Sequence, residues 1–247
     1  MAERAAQSND RNARREQLAS NLDRVRTRIH DAARAAGRAD QPELIVVTKF
    51  HPADDVRFLA ELGVTDIGES RDQEASAKAA ELGELGLSWH FIGQLQTNKA
   101  KSVVRYADAI HSVDRPSLVA ALAKAAASEP SRAGRLPLAC LVQVNLDPLA
   151  EPGRGGALPR EILGLADLIA SSEGLRLAGV MAVAPLGEDP SRAFARLADC
   201  AALLRGDHPD AMMISAGMSQ DLEQAIAAGA THVRIGTDVL GPRPRVL

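Results

Sequence analysis

Leu44-Ile45-Val46-Val47-Thr48-Lys49 stands shortly after Pro42, and the reading of this stretch decides the reading of the chain. A short, β-branched apolar run of this kind fits a strand buried on both faces. It ends at Lys49. Upstream, about residues 1–40 form an extension and a helix: from Arg11 to Arg38, Leu18, Leu22, Val25 and Ile29 recur at three- and four-residue spacing, one apolar stripe on a charged helix. Downstream, seven further apolar runs follow: Asp66 to Gly68, Trp89 to Ile92, Ala109 to Val113, Leu138 to Val144, Leu175 to Val183, Met212 to Ser215 and His232 to Ile235. Amphipathic stretches such as Ala53 to Leu62, Asp72 to Leu82, Ser117 to Ala127, Arg160 to Ser171 and Ser191 to Leu204 lie between them. Alternation of this type implies parallel strands joined by crossover helices. Eight units favour a closed (β/α)8 TIM barrel of the α/β class over an open doubly wound sheet, with residues 1–247 as a single domain behind an N-terminal helix.

Composition narrows the function classes. Apolar residues make up 46% and charged residues 25% of the 247 residues, the balance of a globular protein with a large core. Aromatics are only 2%, so aliphatic side chains must fill the interior. A net charge of −3, with no basic patch interleaved with aromatics, argues against nucleic acid as a partner. Cys140 and Cys200 form no CxxC pair and have no histidine at ligand spacing, so neither a disulfide framework nor a metal site is expected, and both read as buried thiols. The N-terminal residues lack a secretory apolar region, and no stretch has the length and apolarity of a membrane span, so a cytoplasmic protein is expected.

In a barrel the chemistry sits at the C-terminal ends of the strands. Lys49 holds that place on the first strand and shares a face with Ile45 and Val47. It is either a solvated strand end or an amine in the barrel mouth, where desolvation favours the neutral form that condenses with an aldehyde. At the other end of the chain, Ser215-Ala216-Gly217-Met218-Ser219 and Arg234-Ile235-Gly236-Thr237 follow the last two strands. Loops there are the recurrent phosphate site of such barrels, because small residues let amides approach an oxyanion. The alternative is that Gly217 and Ser219 only turn and cap, Ser219 being placed as N-cap of a helix from Gln220 with Asp221 and Glu223 in its first turn. Arg234 shares a face with His232 and Gly236, pointing at a ligand or into a salt bridge inside the barrel. His90 and His111 stand at strand ends, where a packed histidine is as good a reading as a functional one. Gln94, Thr97, Asn98 and Lys99 line the mouth or start a helix. The Gly- and Pro-rich loop Asp147 to Pro159 is long for its position and could cover a ligand.

Val47-Thr48-Lys49, Ile67-Gly68-Glu69-Ser70, Trp89-His90-Phe91-Ile92-Gly93-Gln94-Leu95-Gln96-Thr97-Asn98-Lys99, His111-Ser112-Val113-Asp114-Arg115, Gly179-Val180-Met181-Ala182, Ser215 to Ser219 and Val233 to Thr237 resemble, in order and spacing, the pyridoxal phosphate homeostasis protein family. The resemblance runs from about Leu44 to Gly241. It implies a barrel similar to the N-terminal domain of alanine racemase, with pyridoxal 5′-phosphate on Lys49 as a Schiff base. Ser215, Gly217, Met218, Ser219, Ile235, Gly236 and Thr237 would lie at the phosphate. Arg234 would face the ring nitrogen and keep it unprotonated, which weakens the cofactor as an electron sink. Ser70 and His90 complete the implied cofactor set. Ser70 stands where the family has Asn, which shortens or removes a ring-side contact, and Ala216 replaces the methionine of the usual SMGMS run, a change that a backbone phosphate contact should survive.

Family members are regarded as binders that buffer and deliver the cofactor, with no established reaction. No catalytic residue or metal is therefore expected, and the partners are the cofactor and apo forms of enzymes that use it, around a monomer. A racemase is the competing reading. It needs a second acid/base, a tyrosine in alanine racemase, whereas Tyr106 is the only tyrosine here and falls in a helix, with no second domain after Leu247. A Schiff-base aldolase for sugar phosphates would share the lysine but not the Trp89 to Lys99 segment.

Overall fold

The computed structural model describes residues 2–147 and 155–243, with side chains from Asn9 onward. Eight parallel strands close on themselves among these residues: β1 (Glu43–Val47), β2 (Asp66–Glu69), β3 (Ser88–Phe91), β4 (Ala109–Val113), β5 (Leu138–Gln143), β6 (Leu175–Met181), β7 (Met213–Ser215) and β8 (His232–Ile235). Closure rests on β1 against β8, where Leu44 pairs with Val233 and Val46 with Ile235. That pairing decides against the open sheet.

The helices are α1 (Ala2–Ala35), α2 (Ala53–Glu61), α3 (Asp72–Glu81), α4 (Ala100–Tyr106), α5 (Pro116–Ser128), α6 (Ile162–Ala170), α7 (Pro190–Asp207), α8 (Leu222–Ala227) and α9 (Thr237–Leu240). Several begin where local chemistry dictates: Pro116 and Pro190 occupy first-turn positions that need no amide hydrogen, and the Asp189 carboxylate accepts from Ser191 N at 3.0 Å. α1 runs over the outside of the barrel, with Leu18, Leu22, Val25 and Ile29 all at or below 3% exposure. Burying each side chain of that size contributes about 1.5–3 kcal/mol, so the apolar stripe docks the helix.

Strand alternation sorts the core. Val46, Ile67, Val233 and Ile235 face outward into the layer shared with α1, α2 and α9. Cys140 and Cys200, both free, lie in the opposite half of the outer layer. Burial raises the Cys140 thiol to about 12, so it stays protonated and inert. The inside of the barrel holds small apolar residues on one flank, Ala109, Ala139, Leu141, Ala178 and Met181. Its other flank is polar. No helix among the described residues is long and apolar enough to cross a membrane, and no cluster of acidic, histidine or cysteine side chains among them could hold a metal ion.

Candidate functional site

The polar flank and the C-terminal rim of the barrel make one continuous site. Its first part is the turn after β1. A Cβ added to Gly68 would stand 3.0 Å from Ile45 Cγ2 and 3.3 Å from Val47 Cγ2, so these two side chains point inward and the alternation carries Lys49 to the mouth. Lys49 is half-buried and its ammonium has no partner among the described residues. The backbone around it is held from the outside. Thr48 Oγ1 donates to Glu69 Oε1 at 2.7 Å, and Lys78 Nζ donates to Thr48 O at 2.8 Å, Glu69 Oε1 at 2.8 Å and Glu74 Oε1 at 2.7 Å. Phe50 N donates to Glu74 Oε1 at 2.6 Å, with Phe50 in the left-handed region at φ 69°. A non-glycine residue in that conformation is held by its surroundings, and this cluster is the restraint. The Phe50 ring lies between two guanidinium groups, Arg243 at 4.5 Å and Arg71 at 5.3 Å from its centroid.

The second part is a chain of hydrogen bonds across the barrel interior. Asp66 Oδ1 meets His90 Nε2 at 2.9 Å, His90 Nδ1 meets His111 Nε2 at 2.9 Å, and His111 Nδ1 meets Ser215 Oγ at 2.9 Å. Arg234 closes the chain, donating through Nη1 to Ser215 Oγ at 2.7 Å and through Nη2 to Ala182 O at 2.9 Å. Burial, with the neighbouring positive groups, pushes His111 well below the ordinary imidazole value. Burial also raises the Asp66 carboxyl, but hydrogen bonds from His90 and Thr65 outweigh it and the net shift is downward. Ionised Asp66 can only accept, so His90 donates to it through Nε2, and in the neutral His111 ring one nitrogen donates while the other accepts. Ser215 must accept from Arg234, which can only donate. Burial lowers Arg234 to about 10, partly countered by Asp221, and leaves it cationic at neutral pH.

The third part is the pair of loops after β7 and β8. Gly217 has φ +89°, and a Cβ there would meet Ala225 Cβ at 2.7 Å and Leu222 Cα at 3.2 Å. At Gly236 a Cβ would come within 3.1 Å of Val47 O. Gly217 admits only glycine in the present geometry, whereas a Cβ at Gly236 needs Val47 O to give by a few tenths of an ångström, and both bring bare backbone to the rim. The loops lie side by side, with Arg234 N donating to Gly217 O at 2.9 Å. The amides of Gly217, Ser219, Gly236 and Thr237 have no acceptor among the described residues. Converging free amides beside a buried cation are the elements of an oxyanion cradle.

Several sequence expectations are placed differently. The Ser215 hydroxyl is consumed within the barrel by His111 and Arg234, so it holds the guanidinium and does not face the rim. His90 lies in the barrel interior at 5% exposure, not at its mouth. The Ile235 side chain packs outward among the helices, leaving only its backbone near the rim. Met218 N is already taken by Asp221 Oδ1 at 2.6 Å. The helix after this loop starts at Leu222, with Asp221 and not Ser219 in the N-cap position, because the Asp221 carboxylate turns back to the loop. Ser70 lies at the rim, half-buried, with its backbone packed against Gly93 so closely that a Cβ there would fall 2.3 Å from Ser70 O. Most of the proposed covering loop, residues 148–154, lies outside the described residues. Its end joins the sheet, Ala157 N donating to Gln143 O and Asn145 N to Ala157 O, each at 2.8 Å. Sequence reading missed Lys78 and Glu69. Only the i,i+4 spacing of Glu74 and Lys78 hinted at the pair, and their burial needed the fold.

A family model described as the N-terminal domain of alanine racemase matches residues 20–244. A protein of Mycobacterium tuberculosis (strain ATCC 25618 / H37Rv) named pyridoxal phosphate homeostasis protein is 44% identical over 247 residues, covering 93% of this chain and 94% of the relative. Its namesake in Escherichia coli (strain K12) is 36% identical over 233 residues, with coverages of 92% and 97%. Among solved structures, PipY of Synechococcus elongatus PCC7942 with pyridoxal phosphate bound is similar at TM-score 0.76 and 34% identity, covering 91% of this chain and all of that one. Alanine racemase from Corynebacterium glutamicum shares the fold at TM-score 0.63 and 16% identity, this chain spanning 60% of its length.

Proposed function

The chain belongs to the pyridoxal phosphate homeostasis protein family, and from that premise we propose that it binds pyridoxal 5′-phosphate on Lys49 and holds the cofactor for release to enzymes that need it. The observation that carries this reading is three unlike groups at one rim: an inward lysine without a partner among the described residues, a buried arginine fixed by two acceptors, and two glycine loops whose amides have no acceptor among those residues. Bound there, the cofactor supplies an aldehyde, an electrophile that condenses with a primary amine and releases water. Lys49 is the amine. The amides of Gly217, Ser219, Gly236 and Thr237 would donate to the phosphate oxygens, and Arg234 would face the ring nitrogen. A guanidinium only donates, so the nitrogen facing it would have to accept and stay unprotonated, and the site suits storage better than carbanion chemistry.

The racemase reading finds less support. The Tyr106 hydroxyl donates to Asp72 Oδ1 at 3.5 Å from α4, in the helical layer and away from the barrel mouth. Its distance leaves the second face of a substrate without that acid/base. A cytoplasmic, monomeric carrier, folded as a single barrel domain and serving apo enzymes as acceptors, is the form of the proposal.

The test is chemical. Protein mixed with the cofactor and passed through a desalting column should be yellow, lose the colour on borohydride reduction, and yield one pyridoxyl-modified peptide, at Lys49. Lys49→Ala should emerge colourless. A variant as yellow as the parent, or modification at another lysine, would place the attachment elsewhere.

A further inference from the structure

The two rim loops are bridged from outside the barrel by one side chain, Arg28 on α1. Its Nη2 donates to Ser219 O at 3.1 Å, in the loop after β7, and its Nη1 donates to Asp238 Oδ2 at 2.7 Å, in the first turn of α9 directly after β8. Nε and Nη2 also reach Glu223 Oε1 on α8 at 3.0 and 2.8 Å. Neighbouring contacts draw α1 along the same region: Asn21 Nδ2 donates to Val239 O at 2.9 Å, and Arg14 Nη2 to Leu240 O at 3.0 Å. Farther along the helix, Arg38 Nη1 donates to Ile226 O at 3.1 Å and Ala230 O at 2.7 Å. Every one of these acceptors lies in the segment that follows β7 or β8, although α1 precedes the whole barrel in sequence.

We propose that Arg28 is a positioning residue for the phosphate cradle: its planar fork sets the spacing between the Gly217–Ser219 and Gly236–Asp238 backbones, so that their free amides converge on one oxyanion. This rests on the reading of that rim as the phosphate site. The Arg28 side chain is 38% exposed and its partners Asp238 and Glu223 are 33% and 48% exposed. Ion pairs so open to water contribute little to global stability, whereas a fork with donors on three acceptors fixes geometry. α1 itself is docked by its buried apolar stripe, so removing Arg28 frees the loops without undocking the helix.

The experiment compares two aldehydes that differ only in the phosphate. Pyridoxal 5′-phosphate and pyridoxal are titrated into the full chain and into Arg28→Ala, with dissociation constants from absorption and release rates from dilution. The expected result is an affinity for pyridoxal phosphate reduced about tenfold or more in Arg28→Ala, mainly through faster release, with pyridoxal binding and the melting temperature unchanged. Arg28→Lys should restore only part of the loss, since one ammonium cannot span both loops. Equal weakening of both aldehydes would mean that the variant disturbs the barrel generally, and full recovery by Arg28→Lys would mean that charge alone suffices; either overturns the bridge. A variant that prefers the phosphorylated aldehyde as strongly as the parent also overturns it. A parent protein that binds both aldehydes equally overturns the phosphate reading of the rim itself, a distinct failure.

Discussion

A methyl group on Gly217 would have to occupy a left-handed backbone conformation at φ +89° and stand 2.7 Å from Ala225 Cβ. Both penalties act together, and strain of this kind with overpacking costs about 2–4 kcal/mol. Gly217→Ala should lower the unfolding free energy from urea titration by that amount and weaken cofactor binding; a variant of parental stability would show that the loop relaxes freely. Ser215 makes a different demand. Its hydroxyl is the acceptor that aims Arg234 and the hydrogen-bond partner of His111, at 0% exposure. Ser215→Ala leaves His111 Nδ1 and one guanidinium N–H without partners, at about 1–3 kcal/mol for each unsatisfied group. Denaturation of Ser215→Ala should show a loss in that range, and a neutral result would mean that water fills the gap. Gly217 was legible as a turn residue from its place after an apolar run. The Ser215 role was not, because its partner His111 is 104 residues away in sequence and meets it only across the closed barrel.

At the scale of elements, the turn that presents Lys49 depends on β2 and α3. Glu69 is 1% exposed and accepts from Thr48 and Lys78, and Lys78 also holds the Thr48 carbonyl. Removing one partner of a buried ion pair strands the other, at about 3–5 kcal/mol, whereas replacing both by apolar groups is far cheaper. Lys78→Met should therefore be strongly destabilised and slow to form the lysine adduct, and Glu69→Leu/Lys78→Met should recover stability but not the adduct rate, since the turn stays unheld. Urea denaturation and stopped-flow absorption separate the two effects. Failure of the double variant to regain stability would place the cost in packing. The sequence reading carried β1 to Lys49, while the strand stops at Val47 and a turn follows. The extra two residues follow the alternation of the strand, so the inward direction was legible and the turn was not. Its positive φ at Phe50 is imposed by Glu74 and Lys78, which local propensity does not contain.

Over the whole molecule, buried histidines set how stability depends on pH. Burial lowers His111 well below 6.5, His232 to about 4, and also lowers His51. Below pH 6.5 the unfolded chain takes up protons that the folded protein refuses, so stability falls as pH falls, by about 1.4 kcal/mol per pH unit for each fully shifted group. The Glu69 carboxyl, raised by burial, acts in the opposite sense, its folded form retaining a proton that the unfolded chain gives up above its ordinary range. Three groups against one leave a net loss between pH 6.5 and 4. Urea midpoints at pH 7.5 and 5.0 should differ accordingly, and His232→Gln should flatten the slope; equal midpoints at the two pH values would show that these histidines stay accessible to protons when folded.

Eight alternating strand and helix units, the N-terminal helix, the inward direction of Lys49 and the glycine loops after the last two strands were all determined by the sequence alone. They follow from short-range pattern, namely apolar period, strand length and small residues at turns, which a chain carries in local order. The motif resemblance supplied the family on the same basis. Tertiary structure decided the rest: that β1 meets β8, that Ser215 and His90 belong to an interior chain ending on Arg234, that Asp221 takes the Met218 amide, and that Arg28 spans both loops. Each of those rests on a polar group whose partner is set by which faces the closed sheet turns inward and which helix lies over them. Residues far apart in the chain, such as Arg28 and Asp238, become neighbours only when the barrel closes and brings its last strand beside its first.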